Sequence, residues 1–152
     1  MLKVGDKAPN FSLLSDENKE ISLKDFKGSY VILYFYPKDM TPGCTTEACD
    51  FRDNAAAYKK KNAVVLGVSK DSVKMHQKFK EKYKLKFPLL ADEEGSVCDS
   101  YGVWKEKSMY GRKYMGIERS TFVIDPKGKI EKIYEKVKVT DHAKTVLSEI
   151  GK

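Results

Sequence analysis

Three stretches of the chain are hydrophobic at consecutive positions, without the alternation of a half-exposed strand. They span residues 30–36, 63–69 and 120–124, and all three contain β-branched and aliphatic or aromatic side chains. Such runs are typical of strands that are covered on both faces. The pattern therefore predicts three strands at the centre of a sheet.

Two further patterns predict antiparallel β-hairpins. Hydrophobic residues at 11–14 and 21–23 flank a polar turn near the N-terminus. The turn sequence Asp-Pro-Lys-Gly at 125–128 joins the strand at 120–124 to a second β-type run at 129–134. We expect a hairpin at each place, the second extending the central sheet.

Hydrophobic residues recur at helical spacing between these strands. Helices are predicted over residues 41–61 and 72–83, and a short one over 95–101. The clearest amphipathic stripe lies near the C-terminus, with Gly151 after it as a helix stop. That stripe consists of Ala143, Val146, Leu147 and Ile150.

The order of these elements indicates an α/β fold. Strands that alternate with helices and end in an antiparallel hairpin form a mixed central sheet flanked by helices. The thioredoxin-like fold has this order. No repeat, linker or low-complexity tract interrupts the chain, so we predict a single domain over residues 1–152. The pattern leaves no obvious spare apolar face, which favours a monomer.

The net charge of +7 comes from 29 Lys and Arg against 22 Asp and Glu. The lysines are spread along the chain and interleaved with acidic residues, which argues against a nucleic-acid-binding surface. No hydrophobic run approaches the roughly 20 residues that cross a bilayer, so no membrane association is expected. The first residues lack the apolar segment of a signal peptide, and we therefore expect a cytoplasmic protein.

The densest chemical signal lies between the first central strand and the helix that follows it. Thr41 is a favourable N-cap residue, Pro42 suits the first helical position, and Cys44 falls in the first turn. We expect the Thr41 hydroxyl and the Cys44 amide to face one another there. Unpaired N–H groups at a helix start stabilise a thiolate, which is the nucleophilic form of cysteine. A buried cysteine often only fills space, but this setting favours a reactive Cys44.

Cys49 and Cys98 have less certain roles on sequence grounds. Cys49 is close enough in the chain to capture an oxidised Cys44, although it could also be a packed helix residue. Zinc binding is disfavoured, because Cys-x4-Cys is a poor ligand spacing and no histidine pair accompanies it. The spacing also differs from the Cys-x-x-Cys motif of disulfide oxidoreductases. Cys98 is interpreted as an inert packed residue, with a resolving role left open.

A family resemblance now becomes visible in these residues. Pro37, Thr41 and Cys44 match the Pro-x-x-x-Thr-x-x-Cys signature of the peroxiredoxins. The residues after Cys44 resemble the peroxiredoxin Q group, also called bacterioferritin comigratory protein. The likeness covers nearly the whole chain and includes segments 5–11, 44–53, 87–92, 101–104 and 114–125.

The resemblance implies a thioredoxin-like fold and the reduction of hydrogen peroxide or organic hydroperoxides. It makes Cys44 the peroxidatic cysteine and Cys49 the resolving cysteine, with Pro37 shielding the thiolate from solvent. It also implies that Thr41 and Arg119 are catalytic residues, which hold the thiolate and the peroxide oxygens. Arg119 suits this role because it is permanently charged and carries five N–H donors. The substrate-binding residues that the resemblance implies are Pro37, Thr41, Gly43 and Arg119.

The predicted cycle begins with a sulfenic acid on Cys44, continues with a Cys44–Cys49 disulfide, and ends with reduction by a thioredoxin-type dithiol protein. It calls for no metal, flavin or haem, so no cofactor is expected. A dithiol reductase without peroxidase activity and a basic nucleic-acid-binding module are the alternative functions.

Helix geometry also predicts a conformational change. On one regular helix the Cα atoms of Cys44 and Cys49 would lie about 8.6 Å apart, which is too far for a disulfide, so oxidation should unwind the helix.

Overall fold

The computed structural model describes residues 2–152, and Met1, the first residue of the predicted domain, lies outside the described part. The strands are β1 (Ser12–Ser15), β2 (Glu20–Ser22), β3 (Tyr30–Phe35), β4 (Ala63–Ser69), β5 (Leu89–Ala91), β6 (Trp104–Met109), β7 (Arg112–Ile117), β8 (Ser120–Ile124) and β9 (Ile130–Tyr134). The helices are α1 (Pro42–Asp53), α2 (Ala55–Lys60), α3 (Val73–Tyr83), α4 (Ser96–Ser100) and α5 (His142–Glu149), with a 3-10 turn at Leu23–Phe26.

Seven of these strands form one mixed sheet in the order β2-β1-β5-β4-β3-β8-β9. Strand β3 lies parallel to β4 and antiparallel to β8. Strands β4 and β5 are also parallel, whereas β8 and β9 form the predicted antiparallel hairpin. The mixed α/β architecture is therefore confirmed.

Strand β3 is buried on both faces, as its continuous hydrophobic run predicts. Leu33 and Phe35 point into one core cluster, and Ile32 and Tyr34 point into the other. Helices α1, α3 and α5 cover the second cluster, whereas α4 covers the first. Gly67 in the neighbouring strand is required by this packing, because a Cβ there would lie 3.0 Å from the Tyr34 ring. Tyr34 thus lies between the sheet and α1.

The single helix predicted over residues 41–61 is wrong, because the structure has two helices there. Helix α1 ends at Asp53, and Asn54 has φ −104° and ψ 8°. The Asn54 side chain donates a hydrogen bond of 2.8 Å to the carbonyl of Asp50. An asparagine side chain that bonds a helix carbonyl in this way competes with the helical backbone bonds.

The sequence pattern did not predict three strands. Strand β5 is only three residues long, too short to show a period. Strands β6 and β7 pair with each other outside the main sheet. This hairpin also exposes a group of large hydrophobic side chains, contrary to the expectation of no spare apolar face: Met109, Tyr110, Tyr114 and Met115.

Over residues 2–152, the helices are too short or too polar to cross a membrane.

Candidate active site

Cys44 lies where β3 delivers the chain to α1. Thr41 is the N-cap residue of α1 and Pro42 its first residue, as predicted. The Cys44 side chain is 1% exposed, and its sulfur faces the core cluster that contains Tyr34. The third helical position places this thiol beside backbone N–H groups that have no intrahelical acceptor. The local setting is that of a buried nucleophile.

The expected contact between the Thr41 hydroxyl and the Cys44 amide does not form in the structure. Thr41 Oγ1 instead donates a hydrogen bond of 2.8 Å to the carbonyl of Lys38, and it makes no capping bond. The cause is the tight turn before the helix, in which Met40 has φ +68°. This turn brings the Lys38 carbonyl within reach of the hydroxyl. Thr41 therefore holds the active-site loop rather than the helix end.

Arg119 immediately precedes β8, 75 residues further along the chain, and reaches Cys44 from there. Its Nη2 group donates to Cys44 Sγ at 3.3 Å, and its Nη1 group lies 2.6 Å from Glu47 Oε1. Burial alone would lower the pKa of Arg119, but Glu47 and Cys44 outweigh this and raise the pKa above its ordinary value. A permanently charged guanidinium thus contacts the sulfur directly.

Gly43 gives the guanidinium room to reach the sulfur. A Cβ atom at this position would lie 3.2 Å from Arg119 Nη2, closer than most real contacts of that kind. Any larger residue would push the guanidinium away from Cys44. The predicted binding residue Gly43 therefore has a steric role in the structure.

Glu47 is part of the site but was not predicted from the sequence. Its side chain is 1% exposed, and only one of its two carboxylate oxygens has a hydrogen-bond partner among residues 2–152. Burial raises the pKa of Glu47 to about 7, and the attraction of Arg119 offsets only part of this effect. The sequence feature that could have identified Glu47 is its position three residues after Cys44, which puts both side chains on one helix face.

Two more groups act on the site electrostatically. Burial raises the pKa of Tyr34, and the charges of Glu47 and Cys44 raise it further, so the phenol stays protonated. Its buried hydroxyl has no partner among residues 2–152. Burial and the nearby Arg119 lower the pKa of Lys107. Because Lys107 lies on β6, this interaction places the β6–β7 hairpin beside the site. Neither residue was predicted.

The other two cysteines lie in different surroundings. Cys49 is half-buried, and it lies on the same unbroken helix as Cys44. Cys98 is fully buried on α4, in the core cluster of the opposite sheet face. Burial and the neighbouring Asp92 raise the pKa of Cys98, so its thiol stays protonated. These surroundings favour Cys49 over Cys98 as a partner for Cys44.

Pro37 is half-buried just after the end of β3. Its role in shielding the Cys44 thiolate from solvent stays a prediction.

The site geometry can be compared with known proteins. The model of the AhpC/TSA family matches residues 4–133. Peroxiredoxin Bcp of Bacillus subtilis is 52% identical over 146 residues, covering 96% of this chain and 93% of that protein. Peroxiredoxin Bcp of Escherichia coli is 48% identical over 147 residues, covering 97% and 94%.

Solved structures agree with these sequence matches. PrxQ of Xylella fastidiosa superposes with a TM-score of 0.93 at 40% identity, covering 97% of this chain and 94% of that one. The bacterioferritin comigratory protein of Xanthomonas campestris, described with alkyl peroxide reduction activity, gives a TM-score of 0.87 at 43% identity, covering 91% and 88%. A family model that spans most of the chain and relatives near 50% identity lead to one assignment: this chain belongs to the AhpC/TSA family, as a peroxiredoxin of the Bcp type.

Proposed function

We propose that this peroxiredoxin reduces hydrogen peroxide and organic hydroperoxides with Cys44 as its nucleophile. The observation that carries the proposal is the 3.3 Å contact between Arg119 Nη2 and Cys44 Sγ at the first turn of α1. A fixed guanidinium and helix N–H groups stabilise the thiolate before the peroxide arrives. They also stabilise the negative charge that moves onto oxygen as the O–O bond breaks.

In the proposed first step the Cys44 thiolate attacks one peroxide oxygen. The S–O bond forms, the O–O bond breaks, and the second oxygen leaves with the electron pair and takes up a proton to give water or an alcohol. The sulfur is oxidised by two electrons to a sulfenic acid. Arg119 and Gly43 border the place where this oxygen must lie, and Pro37 and Thr41 complete the proposed substrate-binding set.

In the second step the Cys49 thiol condenses with the sulfenic acid. A disulfide forms between Cys44 and Cys49, and one water is released. Both cysteines lie on α1, and an intact helix holds their Cα atoms about 8.6 Å apart. A disulfide needs roughly 4.4–6.8 Å, so we infer that α1 unwinds between these residues.

A dithiol protein of thioredoxin type would then attack the disulfide and restore both thiols. The opened helix would make the disulfide accessible to that partner. This recycling needs a reducing compartment, which supports a cytoplasmic location. The monomeric state stays a prediction, since the apolar side chains on the β6–β7 hairpin could also serve contacts between chains.

One experiment tests the chemical assignment. Peroxide consumption is followed with thioredoxin, thioredoxin reductase and NADPH for the parent protein and for Cys44→Ser, Cys49→Ser and Cys98→Ser. We expect no turnover in Cys44→Ser, a single reduction of peroxide in Cys49→Ser and normal turnover in Cys98→Ser. Substantial turnover in Cys44→Ser would refute the nucleophile, and a stalled Cys98→Ser would transfer the resolving role to Cys98.

A further inference from the structure

A buried acid–histidine pair lies next to the active site but takes no part in the proposed chemistry. Asp39 is 2% exposed and His76 is fully buried. His76 Nδ1 lies 2.6 Å from Asp39 Oδ2, and Tyr36 donates its hydroxyl to Asp39 Oδ1 at 2.5 Å. On its other side the imidazole Nε2 lies 2.9 Å from the carbonyl of Leu90. All the polar atoms of the Asp39 and His76 side chains are thus paired.

The hydrogen-bond partners fix the number of protons in this pair. A backbone carbonyl can only accept, so His76 Nε2 must carry a proton. The carboxylate of Asp39 also needs a proton between itself and His76 Nδ1. The pair therefore holds two protons, one on His76 Nε2 and one shared between His76 Nδ1 and Asp39, and it is electrically neutral as a whole. A buried pair of this kind is costly to break, because loss of one partner leaves a polar group buried without its hydrogen bond.

The pair connects the active-site loop to the rigid part of the fold. Asp39 lies in the loop between β3 and α1, His76 on α3, and Leu90 on β5. The backbone N–H of Asp39 also donates to Asp71 Oδ2 at 2.8 Å, beside the end of β4. Two residues later the loop becomes Thr41, the N-cap of the helix that carries Cys44. The position of the helix start thus depends on where Asp39 is held.

Asp39, Asp71 and His76 also have the donor types of a metal site, with their ligand atoms within 4.8 Å of one another. The hydrogen bonds account for all three residues without an ion. Asp71 Oδ2 accepts from the hydroxyl of Ser69 at 2.6 Å as well as from the Asp39 N–H. The cluster is therefore better explained as a structural network than as a cation site.

We propose that Asp39 and His76 are positioning residues of the peroxidase, which hold the loop before α1 so that Cys44 lies against Arg119. The proposal rests on Cys44 being the nucleophile, as proposed above. None of the side chains in the network lies on α1, so the network can stay intact when α1 unwinds. It would then serve as a template on which the first turn of α1 re-forms after the disulfide is reduced.

The test uses the reduced full-length protein and the variants Asp39→Asn and His76→Gln. Two rates are measured: peroxide reduction with dithiothreitol as the reductant, and alkylation of Cys44 by iodoacetamide, mapped by mass spectrometry. Alkylation is measured at alkaline pH where its rate no longer rises, so that the thiol is fully ionised in every variant. Peroxide attack needs the sulfur, the guanidinium and the peroxide in line, whereas alkylation under these conditions needs only a reachable sulfur. We expect peroxide reduction to fall roughly ten- to hundredfold, since small misplacements have effects of this size, and alkylation to fall much less.

Three controls make the interpretation specific. Asp92→Asn replaces a carboxylate that is equally buried, at 1% exposure, but that holds α4 on the opposite sheet face. It should lose less than about threefold in peroxide reduction, so lost stability alone cannot explain the effect. Tyr36→Phe removes one hydrogen bond to Asp39 and keeps the Asp39–His76 pair. It replaces Asp39→Asn in the test if that variant does not fold, and it should show an intermediate loss of peroxide reduction. In the double variant of Asp39 and His76 the losses should not multiply, because both act through one contact.

The outcomes separate this proposal from the proposed function. Unchanged peroxide reduction in Asp39→Asn, or equal losses in both rates, would overturn the positioning role. Turnover in Cys44→Ser, measured in parallel, would instead refute the nucleophile. Hydrogen exchange at residues 43–46 should be faster in Asp39→Asn, and unchanged exchange would also count against the network. Finally, ¹⁵N spectra should show a proton on His76 Nε2, which the carbonyl of Leu90 requires, and an unprotonated Nε2 would refute the assigned hydrogen bonds.

Discussion

Replacing Glu47 by glutamine should stabilise the reduced protein at neutral and alkaline pH. Glu47 is buried beside Cys44, and burial raises its pKa from the ordinary value of 4.5 to about 7 despite the ion pair with Arg119. The folded protein therefore resists the ionisation of this carboxyl. Glutamine has nearly the same shape, keeps an oxygen that can accept from Arg119, and never ionises.

The sign of the effect follows from proton linkage. The unfolded chain loses the Glu47 proton near pH 4.5, whereas the folded protein keeps it until about pH 7. Between these values the folded state binds more protons, so the stability of the parent falls as the pH rises. At about 1.4 kcal/mol per pH unit, the interval corresponds to about 3 kcal/mol. The advantage of Glu47→Gln should thus be absent below about pH 4.5 and reach about 3 kcal/mol above pH 7.

Urea unfolding under reducing conditions measures this difference directly. The free energy of unfolding is compared between the parent and Glu47→Gln at several pH values from about 4 to 8. Glu94→Gln, at an exposed position, serves as the control and should show no such pH-dependent gain. A difference between Glu47→Gln and the parent that stays constant over this range would refute the reasoning. In that case Glu47 is ionised in the folded protein as readily as in the unfolded chain.

Three further predictions concern the neighbourhood of the nucleophile. Gly43→Ala should slow peroxide reduction roughly tenfold in single-turnover measurements, because the new Cβ would lie 3.2 Å from Arg119 Nη2. An unchanged rate would exclude the steric role of Gly43. Cys98→Ala should keep full turnover and lose about 1 kcal/mol of stability in urea unfolding, whereas a stalled cycle would contradict the structural role. Oxidation should lower the helix content in circular dichroism and speed hydrogen exchange in α5, because Asp50 on α1 accepts a hydrogen bond of 2.9 Å from the N–H of Ala143 on α5. Equal exchange in both redox states would argue against coupled opening of the two helices.

The central strands could be predicted because their signal is local. Residues 63–69 and 120–124 form strands with the predicted bounds, since a run of buried β-branched side chains allows little else. The break between α1 and α2 was missed because the hydrophobic spacing continues across it, and only the backbone angles of Asn54 depart from the helix. Strands β6 and β7 were missed because most of their residues are polar or exposed.

In the active site, too, the residues that could be predicted are those whose role follows from their neighbours in sequence. Cys44 at the start of a helix is visible from three adjacent residues, and the N-cap and N1 assignments hold in the structure. The role of Glu47 depends on Arg119, which is 72 positions away in the chain. The Thr41 hydroxyl was misplaced because the positive φ of Met40 cannot be deduced from its side chain, which normally avoids that conformation.

The proposed cycle divides the active site into a fixed part and a part that opens. Arg119 lies immediately before β8, outside the helix, whereas its two partners, Cys44 and Glu47, both lie on α1. Unwinding α1 would therefore separate the guanidinium from both partners at once. The hydrogen bonds from Arg119 to Cys44 and Glu47 then favour the closed helix in the reduced protein, and the disulfide opposes it in the oxidised protein. The guanidinium contact that prepares the nucleophile would thus help to re-form the site after each reduction.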